Sequence, residues 1–346
     1  MNFIPGLQLN EGFYREVVAA LLAEHFPSIR YSAALLGYGS DVLGFDTAIS
    51  MDHNWGPRMQ IFLSSDDLIA HGRNIVDCFR FNLPFQYMGF PTNFCTPRYD
   101  GTQSMVETTR RPINHLIEVT SVESYFKDYL GLDSVDDVAP IEWTRLEDQK
   151  LLEVTSGEVF HDGLGYLTET RGRFAFYPMD VLLFRLAKLW KTIEENEPLV
   201  GRTIELKTYE GTKILAAVLV ETCIKVCMYL EGKYLPYRKW LFRSFQTTRV
   251  YPEVYPLCMN VLSETLPGAI EDQLCKLYEK VVEIHNRDVR LPRLENRTRY
   301  FFNRPYKVIF AESIIEKLRA QILNPEIVGL LWPKDNKKRK VAFGRS

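Results

Sequence analysis

At Pro178 the apolar residues of this chain change their rhythm. Before it, short apolar runs suited to strands alternate with helical stretches; beyond it, apolar positions recur at helical spacing. The first part predicts a helix over 9–24 and a buried strand over 32–36 that ends in Gly37-Tyr38-Gly39-Ser40. A strand over 59–63 follows, then an amphipathic helix over 66–81 with Ser64 or Ser65 as its N-cap. Residues 84–114, rich in proline and glycine, read as a long irregular segment. A strand over 115–120, helices over 121–130 and 146–154 and a short strand over 157–162 complete this half. The second part predicts helices over 179–195, 210–231, 237–245, 253–265, 270–285 and 311–323. The fold class is therefore α+β, a strand-containing domain followed by an α-helical bundle. The domains are placed at 1–170 and 171–330, with a polar, basic tail at 331–346.

A chain of 346 residues with 46% hydrophobic and 25% charged residues has the balance of a globular protein and not of a disordered or fibrous one. Its formal net charge of -2 gives no global basic field, which argues against nucleic acid as a partner. The six cysteines form no CxxC pair. Cys223 and Cys227 share a helix face, which reads as buried thiols in a reducing compartment and not as zinc ligands. No secretory segment and no membrane-length apolar run is read, so the expected location is the cytoplasm.

The stretch with chemical content is GYGSDVLGFDTAISMDHNWGPR, residues 37–58. Glycine lets backbone approach a ligand closely, and Gly39 with Ser40 offers N–H groups and a hydroxyl to phosphate oxygens. On an extended chain Asp52 and Asn54 point to the same face. Two oxygen-bearing side chains beside a phosphate cradle suit Mg²⁺, which takes one or two carboxylates plus substrate phosphates. Glu118, between Ile117 and Val119, needs a partner or a metal unless its strand meets solvent. Read as turn and cap residues, the same side chains carry no chemistry.

Gly39-Ser40 followed by Asp52-x-Asn54 resembles the Gly-Ser … Asp-x-Asp signature of the DNA-polymerase-β-type nucleotidyltransferase superfamily. Together with DHNWGPR (52–58), residues 159–190 and YLPYRKWL (234–241), it resembles the family called domain of unknown function 4037. The resemblance implies a mixed-sheet nucleotidyltransferase-like domain and a helical substrate domain. It assigns Gly39 and Ser40 to nucleotide phosphates and Asp52 to Mg²⁺, and makes Glu118 the candidate third carboxylate. It favours Lys239 as a further phosphate contact.

The implied reaction is Mg²⁺-dependent transfer of a nucleotidyl group from a nucleoside triphosphate, ATP first, to a hydroxyl of a small-molecule acceptor. Asp52, Asn54 and Glu118 would be the catalytic and metal-binding set. Asn54 departs from the pattern, because a carboxamide brings no charge to a metal site. The alternative is a catalytically degenerate nucleotide-binding or regulatory module. Among secondary candidates, His53 points away from its neighbours on an alternating strand, Arg58 suits a phosphate or a salt bridge, and Asp46 reads as a turn residue. His161 and Asp162 sit at a strand end, and Arg202 and Glu205 are expected in a loop between long helices.

Overall fold

The computed structural model describes residues 3–331, so the basic tail beyond Leu331 lies outside the described residues. The chain divides into two compact units. Unit 1 runs to Val138 and takes in Leu146–Ala175; unit 2 is Ala139–Arg145 with the chain from Phe176 onward.

Unit 1 begins with α1 (Gly6–Phe13) and α2 (Ala19–His25), joined through a π-helical turn at Tyr14–Val18. The wider turn leaves Phe13 and Val18 in the core while the Tyr14 hydroxyl meets that of Tyr31 at 3.1 Å. Next come β1 (Ser32–Leu35), β2 (Arg58–Leu63) and α3 (Ser65–Asn82). Ser64 caps α3 by accepting the Asp67 N–H at 3.1 Å. After a ribbon of β3 (Gln86–Tyr87) and β4 (Phe90–Pro91) come β5 (Leu116–Ser121) and α4 (Val122–Leu130). The short α5 (Pro140–Trp143) belongs to unit 2. Unit 1 closes with α6 (Asp148–Thr155), β6 (Glu158–Asp162) and α7 (Tyr166–Arg173). The irregular 84–114 segment makes most of its backbone bonds within itself, as in Cys95 N–H to Ser104 C=O at 2.9 Å and Val106 N–H to Asn93 C=O at 2.9 Å, and is tied to the rest of unit 1 by Ile113 N–H to Arg80 C=O at 2.8 Å.

The four-stranded sheet has the order β5-β2-β1-β6. β1 runs antiparallel to β2 and β6, and β5 is parallel to β2, so the sheet is mixed. The pleat of β2 divides its side chains between two faces. Met59, Ile61 and Leu63 join Leu9, Phe13, Ile75 and Phe79 in the core. Arg58, Gln60 and Phe62 take the other face, where Phe62 meets Tyr125 edge-on at 5.5 Å. The parallel register sets Gln60 beside Glu118, and Glu118 thereby shares that second face.

Unit 2 is helical: α8 (Met179–Glu205), α9 (Tyr209–Leu230), α10 (Arg238–Phe245), α11 (Tyr251–Ser263) and α12 (Pro267–His285). A two-stranded ribbon, β7 (Arg299–Tyr300) and β8 (Lys307–Val308), leads to α13 (Ala311–Gln321) and α14 (Pro325–Leu331). One expectation is corrected here. α8 does not stop before Pro198 but continues to Glu205, so Arg202 and Glu205 lie in its last turns and not in a loop. Anchors on both sides of the proline hold it. Glu197 accepts the N–H groups of Ile309 at 2.7 Å and Ala311 at 3.1 Å. Gly201 lies flush against the Tyr306 ring, where a Cβ would fall 2.1 Å from the nearest ring atom. Cys223, Cys227 and Cys258 are buried free thiols. No described helix is long and apolar enough to cross a membrane.

Candidate ligand cleft

On the second face of the sheet in unit 1, a cleft of about 630 Å³ opens beside the end of β1. Its wall is made by pleat-related side chains, Arg58 and Gln60 from β2 and Glu118 and Thr120 from β5, with Tyr125, Asp128 and Tyr129 from α4. The Gly37–Gly44 turn follows β1 directly. Gly39 has φ +138°, and a Cβ there would fall 2.2 Å from Asp41 Oδ1 and 2.5 Å from Arg58 Nη2, so the turn requires glycine. The turn closes as one helical loop, with Leu43 N–H to Gly39 C=O at 3.4 Å and Phe45 N–H to Ser40 C=O at 2.8 Å. The N–H groups of Ser40 and Asp41 at its start have no acceptor among the described residues, as at the open end of a helix.

Arg58 is the hinge of this arrangement. Its Nη2 donates to both Asp41 oxygens, at 2.8 and 2.9 Å, and to the Tyr38 carbonyl at 2.8 Å. Asp41 is 1% exposed and Arg58 8%. The Arg58 Nε is buried without a partner. Asn10, fully buried, sets the entry to β2. Its Oδ1 accepts the Arg58 N–H at 2.7 Å, and its Nδ2 donates to the carbonyls of Gly6 and Gly56 at 2.8 and 3.1 Å. On the far side, Glu153 takes the Gly37 N–H on its carbonyl at 3.0 Å and the Tyr129 hydroxyl on Oε2 at 2.7 Å.

The site residues read from the sequence scatter more than expected. Gly39 and Ser40 form the turn as described. Asp52 ends a 3₁₀ helix, Ala48–Asp52; its carboxylate is solvent-exposed and pairs with His53 Nδ1 at 2.9 Å. Asn54 has φ +46°, so the chain is not extended through 52–54 and the expected alternation is broken. Asn54 lines the cleft, but its Oδ1 accepts the Gln103 N–H at 2.8 Å while its own N–H goes to the Gln103 carbonyl at 2.6 Å. Glu118 stands in the cleft wall. Desolvation pushes its carboxyl above the usual range and Asp128 adds to this, while the Gln60 amide opposes it. Lys239 lies in unit 2 on α10, exposed, with its ammonium 4.7 Å from the Trp240 ring centre.

The secondary candidates have structural partners. Asp46 Oδ2 accepts the Gly6 N–H at 2.7 Å and the Trp55 indole at 2.9 Å. Asp162 accepts from Ser32, Gly165 and Thr168. Burial works to raise its pKa, but these bonds outweigh it and hold the carboxyl below its ordinary value. His161 packs against the Tyr31 ring, centroids 4.9 Å apart and planes tilted by 50°.

The sequence reading missed Asp41, Gln60, Tyr125 and Asp128. Gln60 had a signal, a polar residue inside the apolar run RMQIFL in register with Glu118. Asp41 and α4 had none, because their roles arise from chain segments far apart in sequence.

Mg²⁺ is the cofactor that the superfamily resemblance implies, and the residues present do not fit it as a set. Asp52 is not among the side chains of the cleft, and the Asn54 oxygen is taken up by backbone. Among the described residues, no three His, Cys, Asp or Glu side chains gather as a metal site.

The architecture, a mixed sheet in one unit and a helical bundle in the other, is α+β. Residues 143–241 match the family model described as Domain of unknown function (DUF4037), which bears out the resemblance over that segment. The matched stretch begins after the cleft strands β1, β2 and β5. Among solved structures, the chain is similar to a nucleotidyltransferase-like protein from Exiguobacterium sibiricum 255-15. The identity is 12% and the TM-score 0.34, over 81% of this chain and 77% of that one. No curated protein matches the sequence.

Proposed function

We propose that unit 1 binds a nucleotide in the cleft beside the Gly37–Gly44 turn, and that the binding does not serve metal-dependent transfer. The observation that carries the reading is the open turn, where the Ser40 and Asp41 N–H groups lack acceptors beside the buried Arg58 guanidinium. Such a turn suits a phosphate group through its oriented N–H groups, while the Arg58–Asp41 pair beneath holds the turn in shape. The placement of Asp52 and Asn54 supports binding without turnover.

Calorimetric titration with ATP, with Mg²⁺ and with a chelator, tests this on wild type, Gly39→Ala, Asp52→Ala and Asn54→Asp. The expected result is ATP binding that survives chelation, is lost in Gly39→Ala and is unchanged in Asp52→Ala. Asn54→Asp is expected to leave the binding independent of Mg²⁺, because Asp52 stays outside the cleft. Mg²⁺-dependent binding that disappears in Asp52→Ala, with pyrophosphate released on adding a hydroxyl acceptor, would overturn it in favour of active nucleotidyl transfer.

A further inference from the structure

We propose that the Glu118 end of this cleft takes a cationic amine. The inference rests on the reading of the cleft as a ligand site and adds the chemistry of its second end. Two carboxylates, Glu118 on β5 and Asp128 on α4, face the same space. They act on each other, since Asp128 raises the Glu118 carboxyl. The nearby cations do not compensate them: Arg58 is engaged with Asp41 at 2.8 Å, and Lys127 lies 3.9 Å from Glu123. His115 also lines the cleft. Its Nδ1 accepts the Ile117 N–H at 3.1 Å, which places the ring proton on Nε2 toward the Val76 carbonyl and leaves the imidazole neutral.

An independent observation comes from Tyr125. The residue is 6% exposed and lines the cleft, and its hydroxyl has no hydrogen-bond partner among the described residues. The ring is packed in while the hydroxyl opens to the cleft, where a ligand donor can reach it. A protonated amine satisfies the whole group. It donates to the Glu118 carboxylate and to the phenol oxygen, and it relieves the repulsion between the two acids. The rings of Tyr125 and Tyr129, stacked with centroids 5.6 Å apart, add π-faces that a cation favours. An anion at this end meets two carboxylates and no free cation.

The probe is tyramine, compared with 4-ethylphenol, which lacks the ammonium group, by calorimetric titration of the full chain at low salt. Tyramine is expected to bind about tenfold tighter than 4-ethylphenol, the effect of one charge-assisted hydrogen bond. Both carboxylates are exposed; Glu118→Gln, nearly isosteric, should reduce tyramine affinity about fivefold and Asp128→Asn about threefold. Neither change should alter 4-ethylphenol binding, which also reports that the cleft is intact. Equal binding of the two probes, full tyramine affinity in Glu118→Gln, or no binding of tyramine at about 10 mM overturns the inference. ATP binding without tyramine binding removes this inference alone. Tyramine discrimination without ATP binding removes the nucleotide reading alone.

Discussion

Replacing Asp41 by Asn, Arg58 by Met, and both together tests the ion pair on which the turn is built. The two groups are 2.8 Å apart, with side-chain exposures of 1% for Asp41 and 10% for Arg58. At an effective dielectric constant of about 20, charge centres about 4 Å apart attract by about 4 kcal/mol. Removing one member of a buried pair leaves the other charge uncompensated and costs about 3–5 kcal/mol. Arg58→Met strands the carboxylate and should lie near the upper end. Asp41→Asn keeps the shape and one acceptor oxygen, and should lie near the lower end. The double variant should lose far less than the sum, with a coupling energy of at least about 2 kcal/mol. Urea unfolding read by hydrogen exchange of peptides from β1 and β2 isolates the transition of unit 1 from that of unit 2. Single variants within about 0.5 kcal/mol of wild type, or a coupling below about 1 kcal/mol, would refute the reasoning, because those are values of a solvated surface pair.

Three further outcomes are expected. In unit 2, burial pushes the Glu197 carboxyl up to about 7, against the pull of the Ala311 and Ile309 N–H groups. The folded state then binds this proton more tightly than the unfolded chain. Stability should rise as pH falls from about 7 toward 4.5, by about 3 kcal/mol at most, and Glu197→Gln should flatten that slope in urea titrations at pH 5 and pH 8. Asn10→Ala leaves the Arg58 N–H and the Gly56 carbonyl without their partner, and should destabilise unit 1 by about 2–4 kcal/mol in the same exchange experiment. Ser64→Ala removes the α3 cap and should cost about 1 kcal/mol, seen as faster exchange confined to the first turn of that helix.

Much of the architecture is legible in local pattern. The run RMQIFL announces a strand, and Ser64 announces the start of α3. The failures have physical causes. The helical spacing after Pro178 reads as ending at 195, yet α8 passes through Pro198, because Glu197 and Gly201 fasten that part of it to Ile309, Ala311 and Tyr306. Asp52 and Asn54 read as alternating neighbours because a local rule assumes extended backbone. Asn54 instead adopts a left-handed conformation, held by bonds to Gln103, far along the chain.

The periodicities, the caps and the glycine demanded after β1 belong to the amino-acid order, because each depends on residues within a turn or a pleat of one another. Glu118 was visible in the same way, as one charge in an apolar strand. Its company was not. Gln60 reaches it through a parallel register, Tyr125 and Asp128 through the packing of α4, and Arg58 turns to Asp41 because Asn10 fixes where β2 begins. A cleft is a set of side chains gathered from separate segments. Which of them meet, and which charges go unpaired, follows from burial and register across the folded unit rather than from spacing along the chain.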